Sequence, residues 1–333
     1  MIRGWSVVVK KGEFKVGDLC IYCEIDSVLP PVESFKFLES KRYRIKTIKL
    51  RGQVSQGIAF PLSVLEEVTE GKVVIGGDTH FLALIQKHKL NKIPLIEDFN
   101  LTSIMGIIKW EPNLSSNLAG TAKGSFPSHS IKTDEERIEN LTKKYEELKT
   151  HKFYATEKLD GSSETIYLKD DVFGVTSRNI DLKETHDNTF WKVARELDIE
   201  KKMRAYAKAH DLTDFNLQGE LIGESIQGNK YALKGQTIRF FRSFDIKKFE
   251  FFDYELFVEM IAEMGLETVP VLGVVELPET IAELKLFVQG KSVMNKKIER
   301  EGIVFVSVDY DARRQGRLSF KGISSKFLLK NGE

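Results

Sequence analysis

At 333 residues, with 41% hydrophobic and 30% charged residues, the chain is long enough for two domains with real cores and too apolar for a disordered protein. Its 50 basic and 49 acidic residues leave a net charge of +1, which excludes a globally basic nucleic-acid binder; such a partner would have to be met by local patches. No signal peptide, membrane-length apolar run or lipidation motif occurs, so an intracellular, cytoplasmic protein is expected.

From Trp5 to about Leu65 short β-rich runs alternate with turns. "WSVVVKKGEFKVGDLCIYCEID" is broken at Gly12 and Gly17-Asp18, and "YRIKTIKLRGQVSQGIAFPL" alternates apolar and polar residues around Gly52 and Gly57. Short strands without long helices predict a small antiparallel barrel. The two cysteines, Cys20 and Cys23, have no second ligand pair or histidine nearby, so they read as small strand residues rather than a zinc site. Residues 67–105 are hard to read, with a helix expected at "THFLALIQKHKL". The Ser-, Gly-, Asn- and Pro-rich run from Trp110 to Ser130 reads as a linker. "TDEERIENLTKKYEELK" opens with a capping signature, Thr133 followed by Glu136, and continues with helical periodicity. Beyond Lys152, strands are expected near 153–168, 172–177, 216–222, 239–246, 302–308 and 317–321, and helices near 189–209 and 254–264.

Within "YATEKLDGSSETIYL" a strand ends on Lys158, followed by Asp160 and Gly161. A lysine amine becomes a nucleophile when burial or nearby cations lower its pKa, and glycine lets backbone approach a ligand closely. Lys-x-Asp-Gly alone is explained equally well by a strand-end turn. Downstream come Ser177-Arg178-Asn179, Gly219-Glu220, Phe244-Asp245, Glu301-Gly302 and Lys321. Singly each has a plain reading, as edge charge, core or solvated residue. Together they supply a nucleophile, carboxylates for ribose and metal, an aromatic for a base and a late lysine for a phosphate.

This series, in this order, resembles the covalent nucleotidyltransferases: RNA ligases, DNA ligases and mRNA capping enzymes. "KTDEERIENL" before the lysine and "FDI" after the glutamate are similar to RNA ligase 2-type enzymes. The N-terminal "RGWSVVVKKGEFKVGD", "EIDSVLP" and "YRIKTIKLRGQVSQGIAFPL" resemble the barrel of the fifth RNA ligase family, in which an oligonucleotide-binding (OB) domain precedes the nucleotidyltransferase domain. The resemblance implies an α+β chain: an OB-type β-barrel over 1–110, a linker over 111–130, and an adenylyltransferase domain of ATP-grasp-like antiparallel sheets with helices over 131–333. The chain opens where the barrel's second strand is expected, which leaves three alternatives: a mis-assigned start, a truncated first strand, or a later segment that fills the gap.

The resemblance further implies that Lys158 attacks the α-phosphorus of ATP to form lysyl-AMP, with Mg²⁺ or Mn²⁺ held at Glu301. Glu220 would bind the ribose, and Phe244 would stack on adenine, with main chain near Glu157 reading the base edge. Lys321 would contact the α-phosphate, Asp160 would orient groups around the lysine and the nick, and Gly161 would admit the nucleotide. Arg178 and Asp245 would pair to position the activated phosphate and RNA ends, and Arg137 would steer pyrophosphate. Three features depart from the pattern. Ile323 stands where relatives carry a second lysine, leaving Lys326 for that role. Val306 replaces a common basic residue, with Arg313, Arg314 and Arg317 the possible substitutes. The third is the chain's start. RNA is expected on Arg178, Arg313, Arg314, Arg317 and Arg51, with Lys10, Lys11, Arg42, Arg44, Trp5 and Tyr43 also on the barrel. The expected reaction is sealing of 3′-OH/5′-phosphate breaks in RNA, with a nicked duplex as substrate and no obligate protein partner. The alternatives are a DNA ligase, a capping guanylyltransferase or a non-catalytic RNA-binding scaffold.

Overall fold

The structure is a computed structural model that describes residues 2, 4–50, 52–70, 73–76, 81–86, 89–94, 98–110, 120–309 and 318–331. The chain divides into two compact units, residues 1–113 with 328–333, and residues 114–327.

In the first unit the described strands are β1 (Ile21–Cys23), β2 (Ser27–Val28), β3 (Ile48–Leu50), β4 (Gln53–Ser55), β5 (Ile58–Phe60), β6 (Val73–Gly76), β7 (Phe81–Gln86), β8 (Lys89–Pro94) and β9 (Ile108–Lys109), with a 3₁₀ helix over Glu33–Lys41 and a short α-helix, α1 (Val64–Val68). They pair as β1-β5, β2-β9, β3-β4 and β6-β7-β8. Among the described residues these pieces do not close into the single barrel that the alternating pattern predicts. The helix expected in "THFLALIQKHKL" is instead a hairpin, with Phe81 facing Pro94 and Gln86 facing Lys89. Its continuous apolar run fits a strand as well as a helix, and periodicity cannot decide between them. The core gathers Trp5, Ile21, Cys23, Phe35, Ile45, Phe60 and Leu65, all buried. Burial pushes the Cys23 thiol up to about 12, with Cys20 and Glu24 adding to the shift.

The second unit carries β10 (Ala122–Ser125), β11 (Lys152–Lys158), β12 (Ser162–Lys169), β13 (Val172–Ser177), β14 (Ile180–Leu182), β15 (Phe215–Gly223), β16 (Gln236–Asp245), β17 (Glu250–Phe251), β18 (Val271–Glu276), β19 (Gly302–Ser307) and β20 (Ser319–Ile323). Seven form one antiparallel sheet, β10-β14-β13-β12-β15-β16-β17, and four form another, β18-β11-β19-β20. Strand β10 falls inside the stretch read as linker: Ala122 pairs with Leu182 on the sheet edge.

Helices α2 (Tyr145–Leu148), α3 (Thr189–Glu196), α4 (Ile199–Ala209), α5 (Tyr254–Glu263), α6 (Ile281–Phe287) and α7 (Ser325–Asn331) complete the described elements of this part of the chain, α7 running past its end. The helix expected over 189–209 is two, broken where Asp198 adopts φ 54°. Asn188 caps α3, accepting hydrogen bonds from the amides of Phe190 and Trp191. One face of the large sheet (Ile166, Leu168, Val175, Leu217) packs under α3, α4 and α5 through Trp191, Val193, Met203, Phe257 and Met260. One face of the small sheet packs Phe153, Ala155, Ile303, Phe305 and Phe320 against Ile138, Tyr145, Leu148 and Leu284. Each such aromatic or aliphatic side chain contributes roughly 1.5–3 kcal/mol of burial. The opposite face of the large sheet carries smaller apolar clusters, Tyr167 with Phe244 and Ile222 with Tyr231, among polar residues.

The capping signature at Thr133 does not start a helix. Residues before Ile138 are extended, and a 3₁₀ helix over Ile138–Lys144 begins after Arg137 without a side-chain cap. The tertiary reason is that this segment pairs with β20: the Lys321 amide donates to the Glu136 carbonyl at 2.8 Å, and Arg137 and Lys321 form a parallel bridge.

Candidate active site

Strand alternation sets which residues meet. On β11, Phe153, Ala155 and Glu157 face the core, while Thr156 and Lys158 face the other way. Glu157 is therefore buried, and its carboxylate accepts from the Val293 amide at 2.7 Å. Lys158 pairs across with Gly302, so its amine reaches the residue just ahead of β19: Nζ lies 2.5 Å from Glu301 Oε1. The two side chains are 29% and 12% exposed. Burial pulls the Lys158 pKa down, but Glu301, Glu220 and Asp160 outweigh it and the net shift is upward. The expectation of a lysine depressed by burial or cations is thus corrected: Lys158 is an ammonium held by carboxylates.

Gly161 follows three residues after Lys158, where a Cβ would lie 2.3 Å from the Leu221 carbonyl oxygen and 2.7 Å from Ile222 Cγ2. Only glycine allows β12 to start this close to β15, and its amide donates to Glu220 Oε1 at 3.0 Å. Glu220 sits mid-strand on β15, opposite Ser163 and Arg239. Burial raises its carboxyl to about 8; Lys158 opposes this, while Glu301 and Asp160 reinforce it. Asp160 is held twice: its amide donates to Tyr231 Oη at 2.6 Å and its carboxylate pairs with Lys230.

Lys321 lies two residues along the same row of the small sheet, facing Val304. Its ammonium donates to Asp134 Oδ1 at 2.9 Å. Burial lowers its pKa, with Asp134 opposing and Lys158 and Arg137 adding to the fall. The structure therefore brings together Lys158, Asp160, Gly161, Glu220, Glu301, Lys321 and Arg137.

Arg178 joins these residues only through Asp134, which also accepts from Lys321, and the other expected members lie apart. Arg178 pairs with Asp134 at 3.5 Å, whereas Asp245 accepts from the Lys248 amide at 2.9 Å and pairs with the Lys248 ammonium, so the expected Arg178–Asp245 pair is replaced by local partners. Phe244 faces Asn216, five residues along β16 from the Arg239 that faces Glu220, or roughly 15 Å of strand. Its ring is 0% exposed and packs edge-on against Phe249 and Phe251, so stacking on a base would require these neighbours to move. Lys326 is exposed in the first turn of α7, and Ile323 is buried. In the first unit Trp5 is fully buried, and Arg44 is committed to Asp26 and to the Trp110 ring, while Lys10, Lys11 and Arg42 are exposed. Arg51, Arg313, Arg314 and Arg317 lie outside the described residues.

Sequence reasoning missed Asp134, Glu135, Lys230 and Tyr231. Glu135 pairs with the buried Arg242 at 3.2 Å and accepts from Ser319. The run Asp134–Glu135–Glu136 carries the signal but reads as a helix start, and "QGNKY" carries no motif that singles it out.

A divalent ion fits these residues in one way. Among the described residues no group of three or more His, Cys, Asp or Glu side chains could hold a metal ion. Oxygen donors here are single carboxylates, Glu301 and Glu220, which suits an ion bound mainly by substrate phosphates and water with one carboxylate in support.

The site is thus a lysine and a set of carboxylates placed between two antiparallel sheets, as a group-transfer enzyme with a lysine nucleophile requires. Residues 151–323 match the RNA ligase family, and residues 1–62 match an OB-fold domain. Among solved structures the chain is similar to Naegleria gruberi RNA ligase in several states. An apo aspartate-to-alanine mutant is 36% identical with a TM-score of 0.80, covering 98% of this chain and 90% of that one. A lysine-to-alanine mutant with ATP and Mn is 35% identical, TM-score 0.80, covering 99% and 92%. The enzyme with PPi is 36% identical, TM-score 0.80, covering 98% and 90%. No curated protein matches. The chain belongs to the RNA ligase family.

Proposed function

We propose that this chain is an ATP-dependent RNA ligase that seals 3′-OH/5′-phosphate breaks, with a nicked duplex as substrate, through a lysyl-AMP intermediate on Lys158. The observation that carries the reading is the Lys158–Glu301 pair set beside Glu220, Asp160 and Lys321. The relatives' states with ATP and Mn and with PPi support the same chemistry.

In the first step the Lys158 ammonium, 29% exposed, loses its proton to solvent, leaving Glu301 a carboxylate, and the freed lone pair forms a P–N bond to the α-phosphorus. The α–β P–O bond breaks and pyrophosphate leaves. Lys321 would take the α-phosphate charge and Arg137 would meet the leaving group. Glu220, largely protonated at neutral pH and anchored by the Gly161 amide, hydrogen-bonds the ribose hydroxyls. A divalent ion, Mg²⁺ or Mn²⁺, at Glu301 would screen the triphosphate's negative charge. AMP then passes to an RNA 5′-phosphate, and attack by the 3′-hydroxyl releases it and joins the strands. Arg178, with Arg313, Arg314, Arg317 and Arg51, would contact RNA, and the first unit would hold the duplex by its backbone.

Incubation with α-labelled ATP and Mg²⁺ or Mn²⁺ should label the protein, and Lys158→Ala should abolish the label. Label persisting in Lys158→Ala would remove the proposed nucleophile. Duplexes nicked in turn in RNA and DNA strands test the substrate: sealing of every series equally would refute a preference for RNA ends.

A further inference from the structure

Asp134 belongs to no part of the proposed reaction, yet its carboxylate stands among the cations that the reaction needs. Oδ1 accepts from Lys321 Nζ at 2.9 Å, and Oδ2 lies 3.5 Å from an Arg178 guanidinium nitrogen. These cations come from different sheets. Lys321 is on β20 of the four-stranded sheet, and Arg178 follows β13 of the seven-stranded one. One carboxylate therefore spans the gap between the two sheets at the place assigned to phosphate.

The backbone that carries Asp134 is fixed independently of this contact. Gln218 donates to the Ile131 carbonyl at 2.6 Å, Asn216 donates to Ser130 Oγ at 3.0 Å, Glu135 receives Ser319 and Arg242, and the Lys321 amide holds the Glu136 carbonyl. Because the main chain is pinned on both sides, the Asp134 side chain can rotate away without unpinning the segment. Its side chain is 43% exposed, so water is available to receive it. Lys321 is only 16% exposed, and a second cation, Arg137, is near enough to lower its pKa. An anion beside Lys321 offsets the cost of burying that ammonium, and Asp134 is that anion.

We infer that Asp134 is an internal stand-in for phosphate: it bridges Lys321 and Arg178 until a nucleotide phosphate displaces it, and returns when the phosphate departs. Its ligand class is the anionic phosphate of a nucleotide. The inference rests on the reading of Lys321 as a phosphate contact. Asp134 thus weakens binding of every state that puts phosphate on Lys321 and speeds release of such states, without touching the reacting atoms.

The test uses full-length chains. In a Lys158→Ala background, where no covalent step intervenes, AMP and ATP binding is measured by calorimetry with and without Asp134→Asn. Removing a half-exposed competing carboxylate should tighten AMP about fivefold, with Asp134→Glu close to the Asp134 parent. With Lys158 intact, Asp134→Asn should lower the ATP concentration for half-maximal labelling by a similar factor and leave the saturating rate unchanged. Weaker binding in Asp134→Asn would mean that Asp134 instead holds Lys321 in its productive place, and unchanged affinity would mean that it does not compete; either overturns the inference. Labelling of Lys158 in the Asp134→Asn chain keeps the ligase reading intact in both cases, so the two ideas fail separately. Asp134→Ser provides a second neutral variant should the asparagine alter melting.

Discussion

Gly161→Ala isolates the packing that places Lys158 beside Glu220. The added methyl would stand 2.3 Å from the Leu221 carbonyl oxygen, 2.7 Å from Ile222 Cγ2 and 3.0 Å from Glu220 Cγ. The first of these atoms is backbone in the paired strand β15, so a rotamer change cannot relieve it. Restoring ordinary contact requires the start of β12 to move about 1 Å from β15, which stretches the 3.0 Å hydrogen bond from the Gly161 amide to Glu220. Overpacking of this kind costs about 1–3 kcal/mol, or a drop of roughly 3–10 °C in Tm for a unit this size. A 1 Å error among reacting groups costs on the order of 100-fold in rate. The adenylylation rate of Gly161→Ala, measured by single-turnover labelling with α-labelled ATP, should therefore fall about 100-fold while the protein still melts cooperatively. Gly124→Ala is the control, since its Cβ would meet nothing within 4 Å. Labelling of Gly161→Ala within about threefold of Gly124→Ala would refute the reasoning, because the clash would then have been absorbed without moving the site.

Glu220→Gln should change the pH dependence of stability. The native carboxyl keeps its proton up to about pH 8, whereas an ordinary one loses it near 4.5, so the unfolded chain binds fewer protons in that window and stability falls as pH rises through it. The glutamine, neutral throughout, should raise Tm above that of the parent at pH 8, with the two converging toward pH 5, while ribose binding weakens. Glu164 is buried at 1% exposure, neither carboxyl oxygen has a hydrogen-bond partner, and burial raises its pKa well above the ordinary value. Glu164→Met should therefore stabilise the protein by about 1–3 kcal/mol, read as a higher Tm with a flatter profile between pH 5 and 8. Lys230→Met removes the cation that pairs with Asp160 and should slow strand joining about tenfold or more in single-turnover assays, while Lys230→Arg recovers much of the loss.

The two sheets of the second unit were legible because their strands follow elementary rules. β11, β12, β15 and β19 are apolar-rich runs bounded by glycine or acidic turns, and the helices near 189–209 and 254–264 show a clear apolar stripe. Order along the chain also gave the row Lys158, Glu220, Glu301 and Lys321. What failed was long-range. Residues 79–90 contain an apolar run that either helix or hairpin satisfies, and the choice depends on neighbours that the local pattern does not encode. The segment at Thr133 carries a good capping pattern, but pairing with β20 outcompetes a helix start worth about 1 kcal/mol. Phe244 was given to adenine by position after a glutamate motif, yet the register of β15 and β16 sets it far from Glu220 and under two other phenylalanines. Lys230 and Asp134 escaped notice because a lone charge in a loop or an acidic run is usually solvated. Only their partners distinguish them.

Those partners give the site a common logic. Four cations of the second unit are each matched by a carboxylate: Lys158 by Glu301, Lys321 by Asp134, Lys230 by Asp160 and Arg242 by Glu135. A cleft meant for a triphosphate must hold several positive charges at low exposure, and without counter-charges their mutual repulsion and desolvation would cost several kcal/mol each. Internal carboxylates remove that cost while the nucleotide is absent, and the same pairing explains why Lys158 rests as an ammonium rather than as a free amine. The nucleophile is therefore not permanently active. A polyanion alone would hold the ammonium more tightly, so the amine's lone pair would become available only once the divalent ion accompanying the nucleotide offsets the charge of Glu301 and the phosphates.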